Sequence, residues 1–419
     1  MPPGKSHKGA PAEAPASGGD RIGALPDALL HRVLSFLPAQ DAVRTCVLAR
    51  RWIDLWKSAP GLVIAGADGE GPASFEEIRD FVDSLLLLRE SSPLETLELR
   101  LSGTTIDMPR VRLWIRYAVQ RKVQELRLKL FETLTARFRQ DDPPLISQHL
   151  TRLELRGLVF NDEFLNFSGC PSLQHLQIHL CSFIQAERIL SPSLKHLIIT
   201  RGCFGRSSRT RIHTPNLVSL HLRLHIGRTP VLERMPSLAS AAVTISRRCT
   251  DCCSRAGNGD CDDGSCEGCN MQEDNRCVLL QGLSEAKTLR LTAHAEMFIF
   301  RRDSLRCPTF RQLKLLILDL AWSMVDVHAL ASILKHSPVL EELELMCSKN
   351  LPFNMKIKGV FNPMELPSTM SAYLKRVEVY CEVVDGRVVE ILKLLSKYNI
   401  SFSFKEMKVL AEENLPALD

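Results

Sequence analysis

Leu94-Glu95-Thr96-Leu97-Glu98-Leu99 states a phrase that the chain then repeats: an apolar residue, two others, Leu, one other, an apolar residue. It returns as Val123-x-x-Leu126-x-Leu128, Leu150-x-x-Leu153-x-Leu155, Leu173-x-x-Leu176-x-Ile178, Leu194-x-x-Leu197-x-Ile199 and Leu217-x-x-Leu220-x-Leu222. A weaker copy, Leu238-x-x-Ala241-x-Val243, is followed by Ala286-x-x-Leu289-x-Leu291, Leu313-x-x-Leu316-x-Leu318, Leu340-x-x-Leu343-x-Leu345 and Leu374-x-x-Val377-x-Val379. Central positions are 29, 27, 23, 21, 23, 21, 48, 27, 27 and 34 residues apart. The alternation at the end of each phrase reads as a short strand with one buried face. No such strand can bury its own leucines, so the units must stack to make a core.

The pattern resembles a leucine-rich repeat, which implies parallel strands on a concave face and helices on a convex one. Asparagine is absent from the usual ladder position after the strand, where Cys181 is the one near match. With the uneven spacing, this predicts an irregular arc. Ser74-Phe75-Glu76-Glu77 reads as a capping box ahead of Ile78, Phe81, Val82, Leu85 and Leu86. Residues 109–120, 326–336 and 387–397 also read as amphipathic helices. Units near 150–245 have room for no more than a turn on that side. Prolines before many units (Pro93, Pro171, Pro192, Pro215, Pro236 and Pro338) stand where a strand entrance tolerates a missing donor.

Upstream, residues 21–57 read as three helices carrying more apolar surface than so short a unit can bury. Leu29, Leu30, Val33, Leu34 and Leu37 recur at helical spacing behind Pro26. Pro38 restarts the chain before Ala42, Val43, Cys46 and Val47, and Trp52, Leu55 and Trp56 form the third stripe. Leu25-Pro26-Asp27, Val33 through Pro38, Asp41 through Leu48, Arg50-Arg51-Trp52 and Leu55-Trp56 resemble the F-box of plant F-box proteins. That resemblance implies docking on the Skp-type adaptor of a cullin–RING ubiquitin ligase through Leu25, Pro26, Leu29, Leu30, Val33, Leu34, Leu37, Pro38, Val43, Leu48, Trp52 and Trp56. The alternative for the same stretch is a helical cap on the repeats. Residues 373–404 resemble in part the C-terminal FBD region of such proteins and would close the open end of the stack.

The fold class is therefore α/β, a three-helix F-box followed by an irregular leucine-rich-repeat solenoid with helices mainly at its two ends. A disordered tail is expected at 1–20, the F-box at 21–62, the solenoid at 63–370 and a C-terminal repeat and cap at 371–419. An acidic insertion at 247–277 fills the 48-residue gap and holds Cys249, Cys252, Cys253, Cys261, Cys266, Cys269 and Cys277, half of the fourteen cysteines. Cys249, Cys252, Cys266 and Cys269 form two chelating pairs that could close one tetrahedral zinc site. The other reading is an acidic loop with unligated thiols, rich in Asn, Asp and Gly. No other cofactor is expected.

The charged residues, 53 basic against 48 acidic for a net +5, and the 45% hydrophobic content fit a soluble globular protein with no continuous basic track for nucleic acid. Apolar runs such as Leu85 to Leu88 are far too short to span a membrane, and residues 1–19 lack the apolar segment of a secretory signal. An intracellular, reducing location follows as the expectation, nuclear or cytoplasmic, with thiols rather than disulfides. No His-Glu-x-x-His or Gly-x-Ser-x-Gly motif occurs, and Gly4-Lys5-Ser6 lacks the strand and upstream glycine of a phosphate loop. His175, His179, His196, His221 and His225 alternate toward one face as ordinary polar residues of the sheet. The expected target surface is the concave face, through Arg100, Arg127, Arg156, His179, His221, Arg223, Arg290 and Glu344, with Glu98, Lys129, Glu154 and Glu378 beside them. The resemblance implies a non-catalytic substrate receptor for a protein target. A scaffold without target turnover, or a small-molecule receptor, are the other readings.

Overall fold

The structure, a computed structural model, describes residues 22, 25–66, 69, 71–89, 92–131, 143–246, 248–251, 277–293, 303, 306–319, 327–346, 373–381, 389, 395 and 401–405. Most of the proposed helix at 387–397 and all of the tail at 1–20 lie outside this set.

The chain opens with helices α1 (Asp27–Leu34) and α2 (Ala39–Arg44), then three single 3₁₀ turns ending at Ser58. Pro26 occupies the cap position of α1 and Pro38 that of α2, so each proline sets an entry angle just outside the helix. The expected third helix is instead two of these turns, Arg50–Trp52 and Leu55–Ser58.

A parallel sheet then runs in chain order. Its main path is β1 (Gly61–Ile64), β3 (Thr96–Ser102), β4 (Glu125–Phe131), β5 (Arg152–Arg156), β6 (His175–His179), β9 (His196–Phe204) and β11 (Ser219–Ile226). It continues through β13 (Ser240–Ile245), β14 (Thr288–Ala293), β15 (Leu315–Asp319), β16 (Glu342–Met346), β17 (Arg376–Tyr380) and β18 (Ser401–Lys405). Every central residue of the repeated phrase lands in one register row. Leu97 pairs with Leu126, Leu153, Leu176 and Leu197 in succession, and the row continues through Leu220, Ala241, Leu289, Leu316, Leu343 and Val377. Leu62 extends the row at one end and Phe402 at the other. All the leucines from Leu97 to Leu343 in that row are buried.

A second row of contacts ties each unit to the next. The Pro60 carbonyl accepts from the N–H groups of both Glu95 and Thr96, and the Glu95 carbonyl accepts from Gln124 and Glu125. The same two-donor arrangement passes through the carbonyls of Gln124, Thr151, Gln174, Lys195, Val218, Ala239, Lys287, Lys314 and Glu341. Backbone carbonyls thus supply the ladder for which no asparagine is present. Cys181 adds a side-chain rung: Leu158 N–H donates to its Sγ over 3.4 Å, and the thiol lies 3.3 Å from the His179 carbonyl. Burial pushes that thiol up to about 12, so it stays a neutral packing group.

The prolines ahead of the strands do more than tolerate an entrance. Pro171, Pro215, Pro236 and Pro338 each sit second in a turn closed by the N–H of Leu173, Leu217, Leu238 or Leu340 onto the carbonyl three residues earlier. A fixed φ suits that turn position. In the unit before Leu150, Ser147 Oγ takes the place of the carbonyl and accepts from Leu150 N over 3.2 Å.

Helices α3 (Phe75–Leu88) and α4 (Met108–Gln120) lie between early strands, joined by Trp114 Nε1 donating to Asp83 over 2.7 Å. The expected capping box is not formed. Ser74 belongs to strand β2 (Ala73–Ser74), paired with β3, and its side chain makes no cap; Asp107 does cap α4, accepting from Arg110 N. After one further turn, α5 (Leu280–Leu283), comes α6 (Val327–Lys335). No α-helix lies between Arg121 and Val278 among the described residues.

What fills that thin middle is not a bare turn. Strands β8 (Arg188–Leu190), β10 (Arg211–His213) and β12 (Val231–Leu232) form a second parallel sheet that aligns buried Ile189, Ile212 and Leu232. Strand β7 (Ser182–Phe183) pairs with the end of β9. Phe160, Phe183 and Phe204 follow Leu155, Ile178 and Ile199 at the same offset and pack in a column, Phe160 tilted against Phe183 at 5.4 Å and Phe183 stacked on Phe204 at 4.6 Å. The aromatic column supplies the bulk that helices supply elsewhere. A left-handed position recurs four residues after the central leucine: Gly157 and Leu180, just past β5 and β6, and Arg201, within β9, have φ of 72°, 51° and 54°. Of the three, Gly157 has no alternative, because an added Cβ would lie 2.3 Å from the Leu130 carbonyl oxygen. No helix among the described residues is long and apolar enough to cross a membrane.

Phe183 carries the column from both sides. Truncation of Phe183 to Ala is expected to lower unfolding stability by about 4 kcal/mol, measured by denaturant titration.

Candidate functional site

The helical unit divides its apolar residues by helical geometry. Leu30 and Leu34 lie one turn apart and are buried, while Leu29 and Val33, on the next stripe round α1, are exposed. Of the residues expected to meet an adaptor, Leu30, Leu34, Trp52 and Trp56 therefore face inward and hold the unit together. Pro26, Leu29, Val33 and Leu48 are exposed, and Leu25, Leu37, Pro38 and Val43 are half-buried. Phe36, Val47 and Ile53 extend the exposed apolar set, Phe36 at 72% and Val47 at 83% accessibility. None of the three is among the expected adaptor contacts, although Val47 lies in the second apolar stripe, because periodicity marks apolar positions without telling which of them the fold buries.

The unit is fixed firmly to the sheet. Arg89, 6% exposed, donates through Nη1 to the Trp56 carbonyl over 3.2 Å and through Nη2 to the Ala59 carbonyl over 2.6 Å. Gly61 stands where an added Cβ would lie 2.7 Å from both Ser35 Cβ and Thr96 Oγ1. Arg32 reaches Glu95 at 3.2 Å, and Arg51 Nη2 donates to the Leu25 carbonyl over 2.6 Å while pairing with Asp27.

The second candidate surface is the polar face of the large sheet. On β3 to β5 its charges are largely paired. Glu98, buried rather than displayed, meets Arg100 at 2.7 Å, Arg127 at 3.3 Å and Lys129 at 3.4 Å. Glu154 takes Lys129 at 3.0 Å. Burial pushes the Glu98 carboxyl up, but the hydrogen bond from Arg100 and the charges of Lys129, Arg100 and Arg127 outweigh it, and its pKa is lowered. Arg156 lies over the Phe131 ring at 4.6 Å.

Farther along the sheet the face changes character. His175 and His196, register partners, stack at 4.6 Å, and His179 Nδ1 lies within hydrogen-bond distance of Thr200 Oγ1. His221 is close enough to Arg223 and Arg290 to feel both charges. Of His225 only its place on β11 is described. At the C-terminal end Glu378, also buried, accepts from Lys405 Nζ over 2.7 Å and Tyr380 Oη over 2.8 Å. Burial and the neighbouring Glu378 raise the Glu344 carboxyl.

Of the four cysteines paired as zinc ligands, Cys249 is buried in the core at 3% exposure; Cys252, Cys266 and Cys269 lie outside the described residues. The stems on either side are anchored. Thr229 donates through N–H and Oγ1 to Asp251, whose carboxylate also pairs with Arg209 at 2.6 Å. On the far side Asp303 accepts from the N–H groups of Val278, Leu279 and Leu280. No group of three or more His, Cys, Asp or Glu placed to hold a metal occurs among the described residues.

Burial lowers the pKa of His175, His179, His196 and His221, helped by nearby arginines and, for His175 and His196, Lys195. The fold thus favours their neutral forms. On acidification the unfolded chain protonates first, so their contribution to stability is complete above about pH 6.5 and is lost as pH falls through that value to the lower folded values. The thermal midpoint should fall on acidification below about pH 6.5, and less steeply when His175 and His196 are both replaced by Gln.

Comparison with known proteins matches residues 22–62 to the F-box domain family. The meiotic F-box protein MOF of Oryza sativa subsp. japonica is 30% identical over 362 residues, covering 78% of this chain and 71% of the relative. A putative F-box/LRR-repeat protein of Arabidopsis thaliana is 27% identical over 79% of this chain and 80% of its own. An FBD-associated F-box protein of Arabidopsis thaliana is 25% identical over 85% of each. The sequence similarity extends over most of the length of these relatives, and the chain belongs to the plant F-box/LRR and FBD-associated F-box protein family.

Proposed function

We propose that this protein is the non-catalytic substrate-recognition subunit of an SCF-type cullin–RING ubiquitin ligase. F-box family proteins generally act as substrate adaptors, and the F-box domain implies a Skp-type partner. The observation that carries the reading is the unequal division of the helical unit: Leu30, Leu34, Trp52 and Trp56 hold it to the chain, while Leu29, Val33, Phe36, Val47 and Leu48 stay uncovered. Uncovered apolar area of this kind is what a permanent partner buries.

In this reading the adaptor seats on Leu25, Pro26, Leu29, Val33, Phe36, Val47 and Leu48. The sheet bends into a solenoid arc whose concave, polar face holds a target protein. The receptor makes and breaks no bonds. It raises the effective concentration of target lysines beside the charged conjugating enzyme, and the rate gain comes from that proximity. Joined through Arg89 and β1, the helical unit and the sheet hold the target at a set distance from the ligase.

The test is a pull-down with a purified Skp-type adaptor. Replacing Leu29, Val33 and Leu48 together by Ala should weaken adaptor binding by about a hundredfold, on the scale of interface hot spots, with the thermal midpoint retained. Leu30→Ala should lower the midpoint instead. Undiminished binding by the triple variant would sink the assignment.

A further inference from the structure

The polar face is not uniform, and its middle differs from both ends. From β6 to β14 the face positions are His175, Gln177 and His179; His196, Ile198 and Thr200; Ser219, His221 and Arg223; Ser240, Ala242 and Thr244; Thr288, Arg290 and Thr292. None is acidic. On one side of this span Glu98 and Glu154 are already occupied by Arg100, Arg127 and Lys129. On the other, acidic residues resume with Asp319 at the end of β15 and with Glu342 and Glu344 on β16. Arg223 and Arg290 form no ion pair with a carboxylate among the described residues, although Glu344 feels the charge of Arg290; both are half-buried, and His221 stands two residues before Arg223 and in the same row as Arg290.

A charge held on a rigid strand without a counter-ion is preorganised for one. We propose that the strip centred on Arg223, His221 and Arg290 receives a carboxylate-rich, Asp/Glu-containing segment of the target protein, laid across the strands. This rests on the reading of the polar face as the target surface.

The geometry specifies the spacing. Arg223 stands two strands from Arg290 and one face position further along, so the two are about 12 Å apart, which an extended chain covers in about four residues. Acidic side chains at i and i+4, on the same face of an extended chain and about 13 Å apart, therefore meet both guanidiniums, each able to take a carboxylate in bidentate fashion. On the row of His221, Ala242 gives the strip apolar floor between the charges and Ile198 extends it on the other side of His221. Such interruptions suit a peptide with apolar residues between its acids better than the unbroken charge of a phosphate backbone.

The probe is a fluorescein-labelled peptide of about twelve residues with Glu at every fourth position and Ser or Leu between. It is read by fluorescence anisotropy against the full chain at about 150 mM salt, where long-range attraction is largely screened. The Glu peptide should bind at least about tenfold more tightly than its Gln counterpart. Arg223→Gln with Arg290→Gln should remove that difference while leaving the thermal midpoint unchanged. Arg223→Lys with Arg290→Lys should retain part of it, and Lys405→Gln, at the far end, all of it. Equal binding of the Glu and Gln peptides, or full affinity in the double Gln variant, overturns the proposal. So does a single-stranded DNA of similar length binding more tightly than the peptide. The adaptor pull-down is scored separately: its failure beside intact peptide binding removes the ligase role and leaves the strip, and the reverse removes only the strip.

Discussion

One backbone contact starts the stack. The Pro60 carbonyl takes two N–H groups from residues 95 and 96, and each later unit through β17 repeats that arrangement on the one before it. With this spacing set, the side-chain rows follow. Leu97, Leu126, Leu153 and their successors can only lie in one register, since a shift by one residue would turn every leucine to the solvent face. Each buried leucine contributes about 2 kcal/mol of transfer free energy, but only because its neighbours in the stack are present. The loops between strands can then differ widely in length, because they carry neither the ladder nor the register.

The electrostatics of the polar face follow from the same register. Stacking in parallel brings equivalent positions of neighbouring units close together, so like charges would repel along a row and unlike charges pair. Glu98, Arg127 and Glu154 occupy one row and alternate in sign. The same row continues with Gln177, Ile198 and His221, where neutral side chains separate the first acidic cluster from Arg290. The face is therefore divided into neutralised and unneutralised stretches by the choice of residue at one position per unit.

The repeated phrase was legible in the sequence because each strand needs the same pair of inward side chains, and all eleven central positions lie in one row. Equally readable were α4 and α6, whose apolar stripes follow the helical period. Ser74 misled because a serine followed by Glu77 has capping chemistry, yet its backbone is drawn into β2 by β3. Phe160, Phe183 and Phe204 went unread for another reason. They share an offset from different strands, and no local period links them. The buried positions of Glu98 and Glu378 were hidden likewise, since part of the cation set that permits burial, Arg127 and Lys129 for Glu98 and Lys405 for Glu378, comes from neighbouring strands. On the helical unit, periodicity marks Leu30 and Leu34 as readily as Leu29 and Val33, and only packing against the chain shows which pair is left outside.

Strand β1 has a consequence for geometry. Its first two residues, Gly61 and Leu62, fall within the matched F-box stretch, yet it hydrogen-bonds directly to β3 as the edge of the sheet. No hinge separates the two parts, so strand count acts as a ruler. Six strand steps separate β1 from β11 along the sheet, roughly 29 Å at about 4.8 Å each. Gain or loss of a single unit would move everything beyond it by about 5 Å and rotate it by one increment of sheet twist. In a stack built this way, a duplicated or deleted repeat re-aims the whole distal surface at once, without altering a residue on it.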